Sequence, residues 1–315
     1  MINDKTKKLL ILNKLKNVGN ATLENIIKID GYDLKDVEEL VESIPKQRKV
    51  KNDKNAILEA EEKAHIDINE SNNIGSKIIS VVDDEYPEIL RQTSDRPFFL
   101  YIRGQMPKRP SVAIIGTREP TNHGKEIAKR ISNIFSENGW SIVSGLALGC
   151  DSIAHRSAVD NHGHTTAVLA HGLHTIFPKQ NKKLSDEILS IGGTLLTEYE
   201  FGADPLPYHF AARDRIQAGL SQGVIMIQSD IEGGSLFASK AAIKYGRTLA
   251  VPYPTDLDKR KKEKKIGANL VLAGNDKDAK EKLLKCLPLE LEKNLFVINT
   301  RDDYQSLKNK MLDNF

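Results

Sequence analysis

Cysteine, tryptophan and long apolar runs are scarce in this 315-residue chain, and each scarcity removes a class of protein. The two cysteines, Cys150 and Cys286, stand far apart with no CxxC spacing, which excludes a zinc ribbon, a redox pair and a disulfide scaffold. No apolar stretch reaches the roughly 18 residues of a membrane span, and Leu9-Leu10-Ile11-Leu12 is too short for a signal h-region. Neither export nor membrane attachment is expected, and the cytoplasm is the expected compartment. Charge of one sign is missing too: 46 basic residues face 43 acidic ones, leaving a net +3, so any anion-binding surface must arise by local clustering. There is no G-x-G-x-x-G and no GxxxxGK[ST], so neither NAD nor ATP is expected, and no cofactor is implied.

What is present falls into three textures, and the length suggests about two domains. Residues 1–73 are rich in Lys, Asn and Glu with helical apolar spacing, and read as a small helical domain, SAM-like or helix–hairpin–helix-like. Leu12, Leu15, Val18, Ile26 and Ile27 predict two helices joined by a tight turn at Gly19, the second capped by Thr22. Such a pair can present backbone N–H groups to a phosphate, although a plain helical hairpin has the same pattern.

From residue 74 to 274 a regular α/β rhythm takes over. Leading apolar segments at Ile78–Val81 and Phe98–Ile102 precede β-rich runs at Val112–Gly116, Trp140–Gly145, Thr166–Ala170, Thr194–Tyr199, Gly223–Gln228 and Thr248–Val251. Most are separated by enough chain for a crossover helix, which predicts a mostly parallel, Rossmann-like sheet. Between the first two runs, Ile127, Ile131, Ile134 and Phe135 share one face of a helix predicted over Asn122–Glu137. Asp151–His162 and Ser235–Tyr245 are weaker helical patterns, with Ser235 as an ordinary N-cap. Residues 275–315 predict a short charged helical tail, too short and too charged for a winged helix. The basic run Asp258–Lys265 reads as a solvated face or loop, with a phosphate-contacting arm as the alternative.

In a doubly wound sheet ligands gather beyond the carboxyl ends of the strands. Here those ends carry Gly116-Thr117-Arg118, Ser144-Gly145 with Gly149, and His171-Gly172, where the backbone can approach a phosphate closely. Arg118 follows the first strand, and its guanidinium can grip phosphate oxygens bidentately. Glycines also occur at strand ends simply because turns need them. Five of the eight histidines lie between His155 and His174, but they straddle a strand and its loops without an acidic cluster, so no metal site is expected.

In order along the chain stand Ala113-Ile-Ile-Gly-Thr-Arg118, Val143-Ser-Gly-Leu-Ala-Leu-Gly-Cys-Asp-Ser-Ile-Ala-His155, Ala167-Val-Leu-Ala170 and Phe177-Pro-Lys-Gln-Asn181. Then come Leu196-Thr-Glu-Tyr199, Arg213-Asp-Arg-Ile-Gln-Ala-Gly-Leu-Ser221, Gly234-Ser-Leu236, Gly246-Arg247 and Val251-Pro252. With Asp84-Glu-Tyr-Pro87 and Leu100-Tyr-Ile-Arg-Gly104 as lead-in, this series resembles the DNA-processing protein A (DprA/Smf) family. The resemblance implies an extended Rossmann-like domain that binds single-stranded DNA, forms a homodimer, engages single-strand-binding protein and loads a RecA-type recombinase, without catalysis. It implies phosphate contacts by Arg118 and Lys179, with Arg213 and Arg215 completing a basic pocket. Gly116, Thr117, Ser144, Gly145, Gly149, Gly172, Asn181, Gly234 and Ser235 are its remaining candidate contacts. Phe177 is a candidate stacking face, or else core.

The chain departs from the family pattern at four places. Leu148 and Cys150 stand where Arg and Ile are usual, Asp214 where Asn is usual, and Tyr253 where the glycine of Val-Pro-Gly is usual. A second function therefore stays open: sensing or hydrolysis of a nucleotide, in a defence setting for example. Against it, Glu232-Gly-Gly-Ser-Leu lacks the downstream Glu of the phosphoribohydrolase motif. A pure protein-interaction module is a third possibility.

Overall fold

The computed structural model describes residues 2–44 and 54–313. It opens with helices α1 (Asp4–Lys14), α2 (Asn20–Ile26), α3 (Val37–Glu42) and α4 (Lys54–Asn73). Helix α2 starts earlier than Thr22 predicts. Gly19 occupies the cap position, and its carbonyl accepts from the N–H groups of Thr22 and Leu23, so the Thr22 side chain lies inside the first turn and caps nothing. Leu9, Leu10 and Leu12 of α1, with Leu15 just beyond its end, pack into the same apolar core as Ile78 and Ile79 of the following strand. Beside it, Thr6 Oγ1 hydrogen-bonds to Ser80 Oγ at 2.6 Å, and Lys14 pairs with Asp67 at 2.8 Å, so the first helix is held to its neighbours by buried polar contacts as well as apolar ones.

Next come β1 (Ser76–Ser80), the one-turn α5 (Glu88–Arg91), β2 (Phe99–Gly104), β3 (Ser111–Ile115), α6 (Asn122–Glu137), β4 (Ser141–Ser144), α7 (Cys150–Asp160) and β5 (Thr165–Val168). These are followed by α8 (Lys182–Ser190), β6 (Thr194–Thr197), α9 (Pro207–Gly219), β7 (Gly223–Met226), α10 (Leu236–Lys244) and β8 (Thr248–Pro252). The described chain ends with α11 (Asp256–Arg260), α12 (Gly267–Ala273), α13 (Lys277–Leu284), α14 (Pro288–Asn294), β9 (Leu295–Ile298) and α15 (Asp303–Asp313). The strands form one sheet in the order β1-β2-β6-β5-β4-β3-β7-β8-β9. Pairing is parallel from β6 to β9, while β2 joins β6, and β1 joins β2, antiparallel. The fold is Rossmann-like α/β, as the rhythm of the sequence predicts.

Alternation along the strands divides the core into two layers. Val112 and Ile114 of β3 and Ile225 of β7 face a layer with Ile131 and Phe135 of α6 and Ala154 of α7; Ala113, Ile115, Val224 and Met226 face the other, with Ile216 of α9 and Ala238 of α10. Helix α6 has the predicted bounds because Thr121 Oγ1 accepts from the Gly124 N–H at 3.0 Å, closing its first turn.

The tail departs from expectation. Beyond its helices it contributes β9, which pairs with β8 through Leu249 opposite Leu295 to Pro252 opposite Ile298. Charged neighbours hide Leu295–Ile298 from a composition reading, and only the free edge of β8 makes this segment a strand. Helix α15 then turns Tyr304, Leu307 and Met311 into the α6 layer. No described helix is long and apolar enough to cross a membrane.

Trp140 is the sole tryptophan and packs edge-to-face on Phe135, with ring centres 5.2 Å apart, in the layer that receives Leu307. Leu307→Ala is expected to cost about 2–5 kcal/mol. In urea titrations followed by Trp140 fluorescence it should lower the midpoint of one cooperative transition. An unmoved midpoint would mean that the tail does not belong to this core.

Candidate nucleic-acid interface

In the parallel part of the sheet, strand order proceeds outward from β3 in both directions, through β4 on one side and through β7 on the other. The loops leaving β3 and β7 therefore diverge, and a crevice opens between them. That crevice is a cleft of about 410 Å³ lined by Gly116, Thr117 and Arg118 after β3, and by Ser229, Asp230, Gly233, Gly234 and Ser235 after β7. Helix α9 closes one side with Phe210, Arg213, Asp214 and Gln217, and Phe237 and Lys265 stand at the mouth.

Close backbone packing builds the floor. Gly149 precedes α7 with φ +79°, and a Cβ there would lie 2.4 Å from the Arg118 carbonyl oxygen, so the α7 loop and the Arg118 loop touch only because this residue has no side chain. The departure at Cys150 has a similar cause. Its buried sulfur sits 2.6 Å from where a Cβ on Gly116 would be, filling the space beneath the first strand end. Burial raises the Cys150 thiol well above its ordinary pKa, so it packs as a small apolar group.

Below the cleft lies a charged cluster. Arg213, 4% exposed, donates through Nη1 to the carbonyls of Gly145, at 2.8 Å, and Val168, and through Nε to Asp214 Oδ1 at 3.0 Å. Gln217 Nε2 also donates to Asp214 Oδ1, at 2.7 Å. Asp151 accepts through Oδ2 from the N–H groups of Gly145 at 3.1 Å and Ala147 at 3.3 Å, pinning the loop after β4. Burial raises the Asp151 carboxyl above its ordinary pKa against the opposing pull of Arg213. It pushes Asp214 up to about 7, with Asp151 adding to the rise and Arg213 opposing it. One guanidinium thus faces two carboxyl groups, and the cluster is electrically balanced when Asp214 keeps its proton.

The rim differs in character. Arg118 is exposed, with its guanidinium carbon 5.8 Å from the centre of the Phe210 ring, and Phe210 lies 5.7 Å from Phe177. Phe177 is 42% exposed, so it belongs to the surface and not the core. Lys179 is also exposed, two residues beyond it, outside the cleft lining. Lys265 closes the opposite lip, 3.5 Å from Glu119. The basic run that contains it is anchored at Asp258, 3% exposed, whose carboxylate accepts from Thr121 Oγ1 at 3.1 Å and Gln228 Nε2 at 3.3 Å.

Of the residues marked from the sequence, Gly116, Thr117, Arg118, Arg213, Gly234 and Ser235 line the cleft together. Arg213 is there as a brace, because its Nε and Nη1 donate to Asp214 and to two carbonyls. Arg215 is withdrawn altogether: one helical residue pair apart on α9, it points away from Arg213, forms a two-pronged pair with Glu198 at 2.6 Å and donates to the Asp95 carbonyl at 2.9 Å. Asn181 is buried, and its amide donates to the Leu146 carbonyl at 2.8 Å and Ser152 Oγ at 2.9 Å, which commits its N–H groups to fixing loops. Ser144 is spent on the Ile114 carbonyl at 2.6 Å, and Gly172 packs on the Glu200 backbone. Ser235 is the N-cap residue of α10 without a capping bond, because its hydroxyl turns to Ser229 Oγ at 2.8 Å. Phe210, Phe237, Asp151 and Lys265 are site residues that the sequence reading missed. Lys265 alone had a signal, as the end of the basic run beside Ile266-Gly267-Ala268. Among the described residues no group of His, Cys, Asp or Glu is arranged to hold a metal ion.

The profile of the DNA recombination-mediator protein A family matches residues 77–279, which span the sheet from β1 through β8 and the helices as far as α13. The chain belongs to this family. Its relatives include Protein Smf of Synechocystis, 39% identical over 173 residues, or 53% of this chain and 43% of that one. The DNA processing protein DprA of Streptococcus pneumoniae is 41% identical over 177 residues, 55% of this chain and 62% of that one. These alignments thus span under half of the first relative and under two thirds of the second. Among solved structures, DprA of Streptococcus pneumoniae superposes with a TM-score of 0.70 at 27% identity, covering 97% of this chain and 98% of that one. DNA processing protein A of Helicobacter pylori superposes with a TM-score of 0.59 at 28% identity, covering 76% and 97%.

The family's usual Asn at position 214 gives the buried cluster a test. With its folded pKa above the ordinary 3.8, Asp214 holds in the folded chain a proton that the unfolded chain releases, so its contribution to stability falls as pH rises from about 4 to about 7. Asp214→Asn removes that dependence. The stability of the variant relative to the parent should therefore grow across this window and level off above it, as measured by urea midpoints at the two ends. A difference that stays constant with pH would show that Asp214 titrates normally.

Proposed function

We propose that the cleft and its rim bind the backbone of single-stranded DNA without chemical turnover, and that the protein protects such strands and loads a RecA-type recombinase onto them. The observation that carries this reading is the rim. Arg118, Phe210 and Phe177 form a continuous cation–aromatic surface at the switch point of the sheet, with Lys179 beyond one end and Lys265 across the mouth. Cations neutralise phosphates irrespective of sequence, and exposed rings offer stacking faces to unpaired bases, which a duplex keeps stacked inside. The Helicobacter pylori relative, described by its single-stranded DNA binding mode, supports the same assignment. A homodimer and contact with single-strand-binding protein follow from family membership in the same reading.

A second reading has one observation in its favour. Asp214, with a pKa near 7 and lining the cleft, is placed as a general acid or base would be in a nucleotide-hydrolysing site. Release of base or phosphate from a panel of nucleotides, abolished by Arg118→Ala, would establish it in place of the first.

Fluorescence anisotropy of a labelled single strand, compared with its duplex over a salt series, tests the main reading. The single strand should bind more tightly, with a log–log salt slope near −0.7 per neutralised phosphate. Arg118→Ala and Lys179→Ala should each weaken binding and flatten that slope by about 0.7. Binding that ignores both substitutions would place the strand elsewhere.

A further inference from the structure

A second trough of about 480 Å³ lies on the other side of the α9–α10 ridge, between α10 and the start of the tail. Ala211 and Phe237 line both troughs, so the two lie on either side of Phe237, which is 52% exposed. Four cations surround the second trough, and two of them are spoken for. Arg215 is paired with Glu198, and Lys244 with Asp95 at 2.7 Å. The carboxylate of Glu290, also in the lining, accepts from the Leu287 N–H at 2.9 Å. Lys240 on α10 and Lys285 at the end of α13 have no ion pair among the described residues.

Two unpaired ammonium groups on one concave surface repel each other. Burial and the neighbouring Lys285 charge together lower the Lys240 pKa, so the folded chain holds both charges at a cost that an anion in the trough would relieve. An isolated small anion would not account for the aromatic ridge between this trough and the first. A linear polyanion with planar groups between its charges would: phosphates at the Arg118 rim, a base against Phe237, then phosphates at Lys240 and Lys285.

We propose that the Lys240–Lys285 trough is a second phosphate subsite, which receives the same DNA strand after it leaves the cleft across Phe237. This rests on the single-stranded DNA reading and extends it, because it sets the length of strand the protein covers and the direction in which it leaves the switch point. It also gives the start of the tail a function, since the residue that follows α13 supplies one of the two cations.

The test uses two labelled oligothymidylates, one short enough to occupy the first cleft alone and one about three times longer. The intact protein is compared with Lys240→Gln/Lys285→Asn, in which glutamine keeps the helix of α10. Asparagine suits the left-handed backbone at Lys285, where φ is +54°. Equal urea midpoints establish that both proteins are folded. The double variant should bind the short strand as the parent does, and should lose the parent's gain in affinity for the long one. Its salt slope on the long strand should shrink by about 1.4, two phosphates at roughly 0.7 each. An unchanged slope and affinity on the long strand would overturn the second subsite while leaving the first in place. Parent protein that binds neither strand would overturn the DNA reading itself, and the subsite with it.

Discussion

Much of this molecule turns on where one guanidinium is placed. Arg213 lies almost wholly out of water, joined to the carbonyl ends of β4 and β5 and to Asp214 on its own helix. A buried cation of this kind is tolerable only when its donors are satisfied and a negative charge is close, and removing a partner of such a pair typically costs about 3–5 kcal/mol. Asp151 and Asp214 meet that demand. Asp151 in turn holds the loop after β4 through two backbone N–H groups. Helix α9, the strand ends and the floor of the cleft are therefore one hydrogen-bonded unit, and Phe210 is held at the rim because the same helix carries Arg213 one turn further on.

This arrangement separates two kinds of charge that a sequence count treats alike. Arg213 and Arg215 are committed to structure, each with carboxylate partners. Arg118 and Lys179 are exposed, Arg118 beside the Phe210 ring in the cleft, where field lines from cations concentrate against low-dielectric walls, and Lys179 outside the cleft lining. A nearly neutral protein can in this way present an exposed cation at the cleft while its buried cations are paired. The departures from the family pattern fit the same division. Cys150 fills space beneath Gly116, Asp214 adds a second carboxyl to the buried cluster, and Leu148, 39% exposed, removes a cation from the approach to α7.

The alternation of β-rich and helical segments was legible in the sequence because the central strands, buried along their length, are built from β-branched, apolar and small residues, and helices such as α6 have an apolar stripe. Strands from β3 to β8 lie where those runs are, and α6 has its predicted ends because its cap and its stripe agree. Three features were not legible. Gly19 replaced Thr22 as a cap, since the choice between candidates three residues apart depends on which of them takes the extended backbone, as Gly19 does here. Strand β9 is defined by the edge it joins. Asn181, Ser144 and Gly172 have the residue types of a binding loop, yet their polar groups or backbone are consumed by neighbours far away in sequence.

From the sequence alone came the fold class, the position of the crevice at the strand ends and Arg118 as its exposed cation, because periodicity and turn chemistry are local. Tertiary structure alone decided which basic residues face solvent and which are braces. It also brought Phe210, Phe237 and Lys265 around one cleft, with Phe177 beside Phe210, and set the Lys240–Lys285 trough on the far side of Phe237. The physical reason is that burial and charge pairing depend on partners up to a hundred or more positions away, as Lys244 and Asp95 are, and no local pattern records them.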